Sequence, residues 1–165
     1  MKHIKTIQSM IDELPPDAIF KKCCNGERVV SNYHVYHNYY LVAMQKLPTT
    51  QTNETRSGVV NKQCAKFRAS AVQTLAIIDI GTGQRVQSIE HTNHRFAFDA
   101  IYTVGEQTLP HKYEPNVEAV CAPGIHYFLD WKMALNYSIQ EAHIIEISDG
   151  KVWFYDESGR CFLQR

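Results

Sequence analysis

Residues 28–47 read "RVVSNYHVYHNYYLVAMQKL". The run is dense in valine and tyrosine, residues that fit a pleated, half-buried surface. In an extended chain Tyr33, Val35, His37, Tyr39 and Leu41 fall on one face. His34, Tyr36, Asn38, Tyr40 and Val42 fall on the other. Both faces are partly aromatic, so the pattern predicts a strand covered on both sides.

The rest of the sequence supplies short elements. "HIKTIQSMIDEL" carries Ile4, Ile7, Met10, Ile11 and Leu14 at steps of three and four, the period of an amphipathic helix, and Pro15-Pro16 stops it. The expected boundaries are an N-terminal helix in 1–16 and a polar, weakly ordered loop at 48–58, "PTTQTNETRSG". A hairpin follows, with arms Val72–Ile80 and Arg85–Ile89 around Gly81-Thr82-Gly83. "RFAFDAIYTVGEQTLP" predicts a further strand, closed by Gly105 and Pro110, and "HYF" (126–128) a short buried one. "DWKMALNYS" (130–138) predicts a helix capped by Asp130, with Trp131, Ala134 and Leu135 on one face. "HIIEIS", "KVWFY" and "RCFLQ" predict a closing β-meander whose turns are Asp149-Gly150 and Ser158-Gly159, the last part (151–165) being a hairpin. The expectation is one α+β domain over 1–165: a mostly antiparallel sheet, an N-terminal helix and one short inserted helix near 130–138.

Composition narrows the function. Lys+Arg and Asp+Glu are both 17, a formal net charge of zero. Such a chain lacks the overall positive field of sequence-independent nucleic-acid binding, and its self-association meets little repulsion. No apolar run reaches the roughly 18 residues of a membrane helix. The N-terminus has no long apolar core and no small-residue cleavage site, so no secretion signal is expected. Five cysteines, Cys23, Cys24, Cys64, Cys121 and Cys161, show no framework spacing and read as reduced thiols.

"VEAVCAPGIHYFLDWKMALNYS" (117–138) concentrates the candidate chemistry. Cys121 and His126 are a thiol and a base, but catalytic pairs normally meet from distant positions, and cysteine is among the most buried residue types. The expected reading is structural: Gly124 frees the backbone, Ile125 and Phe128 enter the core, and His126 is held by a hydrogen bond beneath the helix that starts at Asp130. No metal site is expected. His34/His37 and His91/His94 share a face only on a helix, and there is no Cys-x-x-Cys or His-Glu-x-x-His. "GTGQR" lacks the length and lysine of a phosphate loop. Lys62, Lys66 and Arg68, with Phe67 among them, form a local basic stretch that suits phosphates or an acidic partner, or a solvated strand edge. Tyr33, Tyr36, Tyr39 and Tyr40 suit core packing or an interface.

"KFRASAVQTLAIID", "FAFDAIYTVGEQTLP", "VCAPGIHYFLDWKMALNYS" and "HIIEISDG" together resemble an uncharacterised domain of large DNA viruses and phages, often joined to pentapeptide repeats. The shared pattern is carried by Arg68 and Ala69; by Tyr102, Val104 and Gly105; by Cys121, Gly124, Ile125, His126 and Phe128; and by Ala134 and Tyr137. The likeness spans residues from about 60 to 150. Where the family often has Ser-His before the glycine, this chain has Ala122-Pro123, and it has no pentapeptide repeats. The resemblance implies a viral origin, of the kind of Marseillevirus-like giant viruses, and no established activity. "GIHYF…ALNY" is also similar to the Gly-Ile-Tyr-Phe strand and Ala-x-x-Tyr helix of ADP-ribosyltransferases. That likeness implies a nucleotide pocket with Tyr137 as the stacking residue and Glu146 as the carboxylate, but the upstream His-Gly-Ser/Thr strand is missing.

Three function classes follow. The first is a non-enzymatic viral domain without a cofactor, a homo-oligomer (dimer) or partner of a host or virion protein, located in the virion and host cytoplasm. The second is a nucleotide-handling enzyme of ADP-ribosyltransferase type. The third is a nucleic-acid or acidic-partner binder.

Overall fold

The computed structural model describes residues 3–31, 34–91, 100–120, 122–137, 144–148, 151–155 and 161–163. Helix α1 (Ile4–Asp12) forms as its spacing predicts: Ile7 is fully buried, and Met10, Ile11 and Leu14 pack beside it. The two strands that follow, β1 (Ile19–Ser31) and β2 (His34–Gln45), are the longest in the molecule's described part. They run antiparallel, with Ile19 opposite Met44 and Ser31 opposite His34.

This hairpin corrects the single strand expected over 28–47. The chain reverses between Ser31 and His34. Serine and asparagine are turn residues, and here they lie hidden inside a valine–tyrosine run. The first arm starts at Ile19, in sequence whose lysines mask the alternation Phe20/Lys22/Cys24 against Ile19/Lys21/Cys23.

Around the hairpin stand β3 (Lys66–Ala69), β4 (Val72–Asp79), β5 (Arg85–Val86), β6 (Ser88–His91), β7 (Ala100–Thr103), β8 (Gln107–Thr108) and β9 (Ile125–Phe128). The order across the sheet is β3-β9-β1-β2-β4-β5; β6 pairs with β1 and β7, and β8 pairs with β4. The sheet is antiparallel and curls into a half-barrel. Both faces are covered, as the 28–47 pattern requires. Val42, Met44, Ile77, Tyr102 and Tyr127 fill one side. Leu41, Ala43, Ile78 and Phe128 face the other, under α1 and the short helix α2 (Trp131–Asn136). Burying each such large apolar side chain contributes about 1.5–3 kcal/mol.

The expected hairpin at 72–89 forms in part. Asp79 Oδ1 accepts from the N–H groups of Gly81 (2.8 Å) and Thr82 (3.0 Å), and Gly83 takes φ +72°. The return arm then splits: β5 stays on β4, while β6 leaves for β1. The 48–58 loop is tied down rather than weakly held. Thr50 Oγ1 donates to the Ala71 carbonyl (2.8 Å), Thr52 bridges to Ala69, and Asn53 is buried. Its polar residues bond to neighbouring backbone, which composition does not reveal.

Helix α2 begins as predicted. Asp130 Oδ1 accepts from Lys132 N (2.6 Å) and Met133 N (3.2 Å), and Trp131, Ala134 and Leu135 are buried. The three C-terminal strands, β10 (Ile144–Ser148), β11 (Lys151–Tyr155) and β12 (Cys161–Leu163), form the expected antiparallel meander in the order β10-β11-β12. Its turn pairs, Asp149-Gly150 and Ser158-Gly159, lie outside the described residues, as does Tyr33.

Candidate functional site

Strand β9 lies between β3 and β1, so the Gly124–Phe128 segment sits where three strands meet. Arg68 pairs with His126 across β3 and β9, and Phe67 with Tyr127. Strand alternation therefore points Phe67 and Tyr127 into the half-barrel and puts Arg68 and His126 on the opposite face.

Arg68 is fully buried, at 0% exposure. Its Nε donates to the Glu114 carbonyl (3.1 Å), Nη2 to the Glu114 (3.0 Å) and Asn116 carbonyls, and Nη1 to the Ala119 carbonyl. The guanidinium also lies 5.8 Å from the Tyr113 ring centre. Its charge is compensated by backbone dipoles, and its fork of donors fastens the 113–120 loop to the sheet. Gly124 completes this joint. Its φ is +148°, and a Cβ there would stand 3.1 Å from Arg68 Cδ and 3.2 Å from Tyr113 Cδ2.

His126 Nε2 lies 2.8 Å from the Ala122 carbonyl. A carbonyl only accepts, so Nε2 carries the proton. Burial first, and then the charges of Lys21 and Lys66, push the imidazole down to about 4. The ring is neutral at neutral pH. The hydrogen bond therefore runs back to the Pro-Gly turn instead of forward beneath α2, and it is the turn that it holds. Cys121 lies outside the described residues, so the Cys121/His126 pair is not placed.

The other sequence candidates are dispersed. Tyr137 caps the end of α2; its ring stands 5.3 Å from that of Phe128, and Lys66 Nζ donates to its hydroxyl (3.2 Å). Glu146 belongs to β10, opposite Trp153 in the three-stranded sheet. Lys62 is exposed and Lys66 half-buried, whereas Arg68 is internal. Lys62, Lys66 and Arg68 therefore do not share a surface, and the buried Arg68 guanidinium is turned to backbone carbonyls.

Sequence reasoning missed a second group, on β1. One edge of β1 is lined by β2. Among the described residues the other meets β9 at Phe20↔Phe128 and β6 at Asn25↔His91. Among the described residues, no strand covers Lys21 to Cys24 on that edge. Two side chains bond along this edge. His91 Nδ1 accepts from Cys24 N–H (3.1 Å), and Lys21 Nζ donates to the His126 carbonyl (3.3 Å). Burial, then Lys21, holds His91 down to about 3. Burial also lowers the Lys21 ammonium. It pushes the Cys23 thiol up to about 12 despite Lys21, so Cys23 is not a thiolate nucleophile at neutral pH. The signal in the sequence was the shared parity of Ile19, Lys21 and Cys23, which places a lysine on a core-facing row.

On the far side of β9, the Tyr127 hydroxyl donates to Glu54 Oε1 (2.5 Å), which also receives Lys46 Nζ (2.7 Å). Burial opposes the Glu54 charge, but these two donors outweigh it and hold the carboxyl below its usual range. This triad ties the 48–58 loop to the core strand. Among the described residues, no group of three or more His, Cys, Asp or Glu could hold a metal ion.

The profile of a family of unknown function, DUF5758, matches residues 17–134, well over half of the chain. The chain belongs to this family. The DUF5758 span takes in the β1–β2 hairpin, all of β3 to β9 and the start of α2, so it starts well before the region of about 60 to 150 that carried the resemblance. It contains Lys21, Arg68, His91, Gly124 and His126, and it stops short of Tyr137 and Glu146. No curated protein and no solved structure matches the chain.

Proposed function

We propose that this DUF5758 chain is a non-enzymatic interaction module of a large DNA virus that self-associates, dimer first, in the virion or the host cytoplasm. The observation that carries this reading is the use made of the motif. Arg68 is spent on three backbone carbonyls, Gly124 on the close approach to it, and His126 on the Ala122 carbonyl. These residues build a joint between the loop, the turn and the sheet. The viral setting rests on the sequence resemblance.

An apolar surface supports association. Ile101 on β7 is 63% exposed and Leu109 is 64% exposed. Thr108 Oγ1 donates to the Ile101 carbonyl (3.0 Å), which brings the two side chains' backbones together. Exposed apolar residues grouped in this way mark contact surfaces, and zero net charge leaves little repulsion between copies.

The test is light scattering on the eluting protein over a concentration series. A dimer is expected, and Ile101→Glu is expected to convert it to a folded monomer. A wild-type chain that stays monomeric up to its solubility limit would end the self-association reading. Hydrolysis or transfer activity abolished by Tyr137→Ala with unchanged melting would instead favour the enzyme class.

A further inference from the structure

We propose that the outer edge of β3 is a strand-addition site for an extended, acidic segment of another protein, and that the chain's own residues 50–57 occupy it as a built-in strap. The inference does not rest on the contact at Ile101 and Leu109.

Strand β3 stands at one end of the sheet order and pairs with β9 along its inner edge. On the outer edge the strap takes the place of a further strand. Ser70 N–H donates to the Gln51 carbonyl (2.9 Å), Arg68 N–H to Asn53 Oδ1 (2.9 Å), and Arg56 Nη1 to the Lys66 carbonyl (2.9 Å). Thr52 bridges to Ala69. The Arg68 and Lys66 backbone groups are thus met by side chains. A true strand meets such an edge with its own N–H and C=O groups, so the strap is a partial substitute for one. Its attachment is polar: residues 49–58 include no large apolar side chain, and the strap is held by hydrogen bonds, the Lys46–Glu54 ion pair and the Arg56 guanidinium 4.8 Å from the Phe67 ring centre. Segments held without buried apolar contacts belong to the part of a fold that opens first.

The clasp at Glu54 sets the chemistry of the occupant. Glu54 Oε1 accepts from the Tyr127 hydroxyl (2.5 Å) and from Lys46 Nζ (2.7 Å), and the Lys62 charge also favours the carboxylate. Lifting the strap takes this carboxylate away from Lys46 and from the buried Tyr127. A segment that replaces the strap must therefore bring an Asp or Glu to the same place. In strand addition the backbone bonds supply affinity and the side-chain contacts supply choice. Here the outward groups of Lys66, Arg68 and Ser70 are the backbone part, and the Lys46–Tyr127 pair reads the carboxylate.

The experiment measures, by fluorescence anisotropy, the binding of a labelled peptide with the strap's own sequence, TQTNETRS, to the 165-residue chain. Two variants loosen the strap: Glu54→Gln, which removes the charge that pairs with Lys46, and Arg56→Gln, which removes the donor to Lys66. Each should bind the peptide about tenfold or more tighter than the unaltered chain, whose occupied edge lowers its apparent affinity. A peptide with glutamine in place of its glutamate should bind none of them. Amide exchange is the second reading. The Arg68 and Ser70 amides should exchange faster in the variants while those of β1 and β2 keep their protection. Should Glu54→Gln not fold, Arg56→Gln carries the test. Equal or absent binding across the three chains, equal binding of the uncharged peptide, or joint loss of protection at Arg68 and across β1 and β2 would overturn the proposal.

Discussion

Arg68 shows why a charged residue in a strand need not be a surface residue. In "KFRAS" it reads as part of a basic stretch, yet its guanidinium is buried and bonded to carbonyls of the 113–120 loop. Those carbonyl partners lie about fifty residues away, so no local pattern announces them. Gly124 is the more legible half of the joint, because a Pro-Gly turn calls for a backbone freed of Cβ. Gly124→Ala is expected to destabilise the fold by about 1–3 kcal/mol, from the positive φ and the crowding against Arg68, as read by urea denaturation. The two histidines give a pH prediction. His91 and His126 sit near 3 and 4 against an ordinary 6.5, so the unfolded chain binds more protons between those values. Stability is fully present above 6.5 and falls as the pH drops toward 4 and then 3. Each pKa unit is worth about 1.4 kcal/mol at most, so the joint loss is of the order of several kcal/mol. Denaturation midpoints measured from neutral to acid pH check this. His91→Asn, which keeps an acceptor for Cys24 N–H and cannot titrate, should flatten part of the slope.

At the scale of elements, helices were easier to read than strands. Helix α1 announces itself by spacing and by Pro15-Pro16, and α2 by an aspartate before an apolar face. Asp130→Ala should cost about 1 kcal/mol, visible as a lowered melting temperature, since Lys132 N and Met133 N lose their acceptor. The β1–β2 hairpin was legible only in its second arm. Residues 28–47 carry enough valine and tyrosine to look like one strand, yet Ser31 pairs with His34 across a reversal. The first arm opens with Lys21 and Lys22 near its start, and no element was expected there from the sequence. Lys21 is accommodated because its Nζ reaches the His126 carbonyl on β9, a partner that strand placement supplies. The 48–58 loop failed as an expectation of weak order for a related reason. Its threonines, Asn53 and Glu54 find partners on β3, at Ala71 and on β9 that are remote in sequence.

At the scale of the whole molecule, the sequence by itself determined the class: α+β, mainly antiparallel, two helices at the predicted places and a closing meander. These follow from periodicity and from capping and turn residues, which act over a few positions. Zero net charge was equally plain, and with it the absence of a strong field opposing association. Only the tertiary structure decided which charged side chains are internal. It buried Arg68 under the 113–120 loop, separated it from exposed Lys62, and tied Lys21 to the His126 carbonyl. The reason is physical. Helix and strand periods come from local backbone geometry, whereas a charge enters the interior only if distant backbone groups or an anion compensate it, and those partners are assembled by the order β3-β9-β1.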